Sequence, residues 1–417
     1  MKTKIKFYIK ISIIICAFCL ASLIVDSRGL WTQKSNFIGS GRNSAIGFSI
    51  GNKGYVGTGC DNATLFSDFW EWDQSTDTWS QKASFLGTAR YGASGFSIGT
   101  KGYIGIGLDR DSLRSDFWEW DQAINIWSQK AWFPEGARSF AASFVIGGQG
   151  YIATGGPPIR NDFWEYDQST DIWIQKLNYP GPLKYEATGF SIGQKGYLIL
   201  GAQANYGNYF NDFWEWDQST DVWIQKADFP ITGTHNSIGR TNPVSFTIGN
   251  KAFVGTGYYR WSTQNATLCD DLWEWDQSTD IWTEKENFKG TGRFKAIGFS
   301  IGSKGYIGTG SDYGNLQDFW EYCDTCLGIG VNEIDKSNSI LLYPNPLTTH
   351  GTIQSKILLN DADIFVYNQT GLLVEKLNHV SSETLPINFT KLISGIYFVR
   401  IFQAGNLISS TKLVFIK

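Results

Sequence analysis

The sequence predicts an all-β chain, a large domain of repeated antiparallel sheets followed by a small C-terminal β-sandwich. Three observations carry this. A unit of roughly 50 residues recurs six times between Phe48 and Cys323. All 18 tryptophans fall between Trp31 and Trp320 and none in the last 97 residues, so the chain has two parts of different character. Its 46 glycines and 16% aromatic content suit short strands joined by glycine turns, and exclude disorder, collagen and coiled coil. Lys+Arg 35 against Asp+Glu 39 leaves a net charge of -4 with no basic run beyond the N-terminus, which excludes nucleic acid as a partner. The only histidines are His235, His350 and His379, too few for a histidine-rich metal centre.

Each repeat reads as four strands. Strand a is GFSIG or a variant, with its phenylalanine at Phe48, Phe96, Phe144, Phe190, Phe246 and Phe299, spaced by 48, 48, 46, 56 and 53 residues. Strand b follows as KGYVGTG (53–59) and its variants, and strand c as DFWEWD (68–73), ending with DFWEYC (318–323). Strand d carries a tryptophan at Trp79, Trp127, Trp173, Trp223 and Trp282, five copies only. The sixth stands at the front, in LWTQKSNF (30–37) with Trp31, so the N-terminal strand completes the last unit and closes a ring. Closure removes the open sheet edge that a linear array would leave. Apolar bulk on both faces of strand c suits a sheet sandwiched between two others. The architecture expected is a six-bladed β-propeller over residues 28–326.

Residues found in every blade hold the blade, whereas a chemical site needs its residues once. The strand-c glutamates (Glu71 and its counterparts) and the lysines three after each strand-d tryptophan are expected to pair across strands c and d. The a–b and c–d turns hardly vary. The b–c loops do, and those at 202–211 and 258–270 are long, aromatic and charged. Tyr206, Tyr209, Tyr258, Tyr259, Arg260 and Trp261 are therefore candidate ligand contacts. A second candidate set stands six residues before each strand-a phenylalanine: Arg42, Arg90, Arg138, Lys184, Arg240 and Arg293. Placed in the d–a loops, these cations are expected either to brace their loops or to ring the channel mouth and attract anionic ligands. The pair Asp109 and Asp111 is a weak calcium hint, lacking the glycine and distal glutamate of a calcium loop. No catalytic residue, metal or cofactor is assigned.

The ends complete the organisation. Residues 1–25 read as an export signal, with Lys2, Lys4, Lys6 and Lys10 before an apolar run. That run is shorter than the ~20 residues of a spanning helix, so no permanent membrane span is expected after its removal. Four cysteines then remain, and Cys323 and Cys326 are expected to form a local disulfide in an oxidising compartment. Residues 327–338 form a linker. From 339 to 417 aliphatic alternation replaces tryptophan, giving strands of a small sandwich with hairpin turns at Gly371 and 404–406.

Two resemblances sharpen these readings. The glycine-rich segment followed by tyrosine and tryptophan at fixed spacing resembles the kelch repeat, although GTG mostly replaces its double glycine, which survives only at Gly155-Gly156. Galactose-oxidase-like enzymes share this blade type, but His235 alone in the propeller opposes their copper site. YPNP (343–346), DIFVYNQTGLLV (363–374), SGIYFVRI (394–401) and the final KLVFIK resemble the C-terminal sorting domain of type IX secretion cargo. That implies interaction with the type IX machinery and passage through the periplasm to the outer surface or the medium. The function expected is an exported binding module for glycan or surface-protein ligands. A sugar-acting enzyme like the kelch-type sialic-acid mutarotases, by likeness of fold alone, and a purely structural surface protein are the alternatives.

Overall fold

A computed structural model of the chain describes residues 29–203, 208–230, 239–260, 266–326, 340–355, 358–369, 371–389, 392–403 and 406–416. The signal over 1–25 and the linker over 327–338 lie outside them. The chain divides into two units, 1–327 and 328–417.

The first unit is a ring of six four-stranded antiparallel sheets. In the first blade strand a is Ile46–Ile50, strand b Lys53–Gly57, strand c Phe69–Asp73 and strand d Thr78–Gln81. The sixth contains strands Ile297–Ile301, Lys304–Gly308 and Phe319–Cys323, and its outer strand is Leu30–Lys34 from the front of the chain. Leu30 pairs with Cys323 and Lys34 with Phe319, so the ring closes as the tryptophan tally requires. Trp31 is buried, donates its indole N–H to the Glu286 carbonyl at 3.0 Å and packs on Phe288 and Tyr322 at 4.9 and 5.0 Å.

Aromatic contact between blades explains why strand c is bulky on both faces. Phe69 stacks on Tyr55 of its own blade and meets Trp120 of the next edge-on at 5.0 Å. Trp72 points the other way and meets Phe319 of the sixth blade at 4.9 Å. The strand-b glycines serve the same packing. A Cβ on Gly54 would stand 2.3 Å from the Phe299 ring, and one on Gly102 2.5 Å from the Phe48 ring. Each glycine makes room for the strand-a phenyl of the preceding blade.

The expected pairing of strand-c glutamates with strand-d lysines occurs at Glu71, Glu119, Glu165 and Glu274, whereas Lys34 and Lys226 reach Asp77 and Asp280 of the next blade. Glu71 accepts from Lys53 at 2.7 Å, from the Tyr55 hydroxyl at 2.7 Å, and lies 3.1 Å from Lys82. In the c–d turn Asp73 accepts from the Ser75 amide at 2.8 Å, and Asp77 takes the Trp72 indole N–H at 2.9 Å.

The second unit holds two sheets around one core. Strands Ile340–Tyr343, His350–Ser355 and Thr384–Asn388 form the first; Leu373–Val380, Ala362–Asn368, Gly395–Gln403 and Asn406–Phe415 form the second, in that order. Leu347, Ile364, Val366, Val399 and Leu413 lie at the centre. Gly371, at φ +80°, turns the hairpin between its neighbouring strands.

Trp31→Ala is expected to destabilise the propeller by about 3–5 kcal/mol, and removal of residues 28–38 by more, with aggregation through the exposed edge. Thermal and chemical unfolding check this. An unchanged midpoint would mean that the ring does not depend on this strand.

Candidate functional site

The six cations of the d–a loops are not at the channel surface. Arg42, Arg90, Arg138, Lys184 and Arg293 are 0% exposed and Arg240 5%. Each closes a clasp within its blade. The Arg42 guanidinium grips Asp68, the residue before strand c, with Nη1 on Oδ1 at 2.5 Å and Nη2 on Oδ2 at 2.7 Å. Nη1 also donates to the Thr58 carbonyl at 2.9 Å, beyond strand b. The Trp70 indole donates to the same aspartate at 2.7 Å, and the Phe37 ring lies 4.8 Å under the guanidinium. Arg90 with Asp116, Arg138 with Asp162, Arg240 with Asp271 and Arg293 with Asp318 repeat the arrangement.

Thr58 stands at φ 57°, a conformation that costs a β-branched residue on the order of 1–3 kcal/mol, and its turn aims the carbonyl at Arg42. The Arg42 pair holds the Asp68 carboxyl below the usual range, outweighing the burial that raises it. The terminal guanidinium donors that an anionic ligand would need are thus already committed, and Arg138 Nε, which has no partner, is buried. The geometry answers the expectation of a ligand-binding cation ring: these residues brace.

Blade four varies the clasp and balances the change. Lys184 replaces arginine and offers one nitrogen, which takes Asp212 Oδ1 at 2.5 Å. Tyr179 replaces phenylalanine, and its hydroxyl donates to Oδ2, the position a second guanidinium nitrogen would fill. Burial pulls the Lys184 ammonium down to about 8 against the opposing pull of Asp212.

What opens on the channel is the position two residues after each cation: Ser44, Gly92, Phe140, Glu186, Asn242 and Lys295. All six have φ between 51° and 59°, five of them without being glycine. The turn is locked by hydrogen bonds between blades. The Gly92 amide donates to the Ser44 carbonyl at 3.0 Å, Phe140 to Gly92 at 2.8 Å, Glu186 to Phe140 at 3.0 Å, Asn242 to Glu186 at 2.9 Å and Ser44 to Lys295 at 2.9 Å. These six residues, with the alanines or proline that follow them, line a cavity of about 150 Å³ at the channel mouth. A second cavity of about 180 Å³ continues down the channel along the first residues of the strands a. Backbone conformation is common to the six and side-chain chemistry to none. Sequence reasoning missed them; the signal was a fixed register in which no residue type recurs.

Around this inner ring the residue after each cation bridges to the first b–c loop residue, as Asn43 to Cys60, Tyr91 to Leu108, Thr241 to Tyr258 and Phe294 to Ser311. The d–a and b–c loops therefore share one face. Of the expected loop contacts, Tyr209 is buried, and its ring lies 6.3 Å from Tyr258, which lies 5.4 Å from Phe294. Burial pushes the Tyr209 hydroxyl up to about 12. Tyr258, Tyr259 and Arg260 form a half-buried strand paired with Ala266–Leu268, so this loop is a hairpin. Tyr206 and Trp261 lie outside the described residues. Asp109 accepts the Asp111 and Ser112 amides at 3.0 and 2.9 Å and pairs with Arg114, so its oxygens serve the turn and the calcium hint falls. No cluster of metal-ligating side chains occurs among the described residues. Cys323 and Cys326 are joined in a disulfide, whereas Cys60 and Cys269 are free thiols.

Comparison with known proteins agrees with both units. Residues 341–417 match the family of secretion system C-terminal sorting domains. No curated protein matches the chain. A solved structure titled "Structure of YjhT" is 16% identical, with a TM-score of 0.59 over 68% of this chain and 95% of that one. At that identity the likeness shows the fold alone, a six-bladed kelch-type propeller.

Arg138→Gln, which leaves Asp162 buried and unpaired, is expected to cost about 3–5 kcal/mol in urea unfolding. In blade four Lys184→Arg and Tyr179→Phe are each expected to destabilise, and together to recover at least about 1 kcal/mol of the summed loss. Simple additivity would contradict the exchange of donors.

Proposed function

The C-terminal unit belongs to the sorting domains of the type IX secretion system, which carries the chain through the periplasm to the outer surface or the medium, and from that premise we propose that the propeller is an exported binding module for a glycan or surface-protein ligand. The observation that supports this is the contrast between two rings in one fold. The clasp keeps a buried cation on an aspartate in every blade, while the channel-mouth position two residues further on keeps its strained backbone and changes its side chain every time. Non-glycine residues held at positive φ cost free energy, and such strain is found at functional sites as well as in the clasp turns of this fold. The rings of Tyr91, Tyr258 and Phe294 flank the mouth and suit stacking on a sugar ring or a peptide side chain.

The test is binding of the full chain to glycan and protein arrays. Tyr258→Ser with Phe294→Ser is expected to lower affinity for any ligand found by at least tenfold, with little change in melting temperature. Binding unaffected by this pair would move the site off the face. Removal of residues 339–417 is expected to leave the chain in the periplasm, and finding it at the surface or in the medium would contradict its use as a sorting signal.

A further inference from the structure

The inner ring carries one carboxylate and one ammonium, and neither is ion-paired among the described residues. Glu186 accepts a hydrogen bond from the Thr241 hydroxyl at 2.7 Å and has no cation within ion-pair distance among the described residues. Lys295 likewise has no carboxylate at that distance. Its ammonium lies 5.1 Å from the centroid of Phe140 and 5.6 Å from that of Phe294. Blade six stands opposite blade three in a ring of six, so Lys295 reaches across the mouth to rest on Phe140. The floor it rests on is itself built. A Cβ on Gly92 would lie 2.9 Å from the Phe140 ring, so the absence of a side chain in blade two lets that ring lie down. The clasp cations and strand-c glutamates around the propeller all have partners, which makes two open, opposite charges on one small cavity the exception.

Resting on the reading that this face binds a ligand, we propose that the mouth takes a dipolar group, an ammonium and a carboxylate a few ångströms apart as on a free α-amino acid. The ligand ammonium meets Glu186, and the ligand carboxylate meets Lys295. Two fixed opposite charges in a concave site favour such a group over one of net charge, because either charge alone is attracted by one residue and repelled by the other. A cavity of about 150 Å³ suits a group of that size. The Asn242 amide and the Ser44 hydroxyl complete a polar lining that pairs with both ends.

The experiment titrates the full chain with L-serine and L-leucine, with their N-acetyl derivatives, which lack the ammonium, with their amides, which lack the carboxylate, and with glucose. Calorimetry is expected to show saturable binding of the free amino acids, at least tenfold weaker binding of the acetyl and amide forms, and none of glucose. Glu186→Gln is expected to lose the distinction between amino acid and N-acetyl derivative, and Lys295→Gln that between amino acid and amide. Glu186→Asp and Lys295→Arg are expected to retain both. Equal binding of singly charged forms or of glucose, or no binding of any probe, overturns the proposal. An array ligand whose binding is untouched by Glu186→Gln and Lys295→Gln would overturn it while leaving the binding face standing. An array with no ligand together with no binding of any free probe would sink both.

Discussion

Everything on the variable face depends on the buried ion pair between the d–a loop cation and the aspartate that precedes strand c. A guanidinium excluded from water is unfavourable by several kcal/mol unless its donors are met, and here the two terminal nitrogens are met by both carboxylate oxygens and a carbonyl. The three groups come from three separate segments of one blade. Formation of the pair therefore fixes where strand a begins, where strand b ends and where strand c starts. The indole of Trp70 and its counterparts and the phenyl of Phe37 and its counterparts shield the pair from solvent. The aromatic contacts between blades then lock each fixed blade against the next.

Because the clasp is sixfold, what it presents can differ sixfold. Two residues beyond each cation the backbone is held at positive φ and bonded to the neighbouring blade, so the side chain is aimed at the axis whatever it is. Glycine, phenylalanine, glutamate, asparagine, serine and lysine occupy one conformation. The scaffold tolerates them because the hydrogen bonds that hold the turn run between backbone groups and do not use those side chains. Diversity is free to accumulate only where the structure is overdetermined by its surroundings. The b–c loops add a second tier of variation, anchored to the same d–a residues by single bridges.

The fold was legible because repetition converts weak signals into strong ones. Five strand-d tryptophans after the blades begin, and one before them, require a ring closed by the N-terminal strand. Paired glutamates and lysines follow from their shared register. The cations were legible in position but not in direction. An arginine at the start of an innermost strand faces the channel or the blade, and only the aspartate 24 to 31 residues later decides it. The substitution of Lys184 with Tyr179 carries that coupling in the sequence itself, since the lost donor and the gained hydroxyl sit in one blade. The inner ring stayed hidden for the opposite reason: a pattern search finds what recurs, and its signature is a shared backbone angle.

The central claim is that the repeated cations are scaffold and closed to ligands. Dicarbonyl modification of arginine in the native full chain, mapped by peptide mass spectrometry, tests it most directly. Arg110, exposed on a b–c loop, serves as the internal standard. The account predicts that Arg42, Arg90, Arg138, Arg240 and Arg293 resist the reagent until the chain unfolds, while Arg110 reacts at once. Modification of the five at the rate of Arg110 would contradict it and return the cation ring to the surface of the channel.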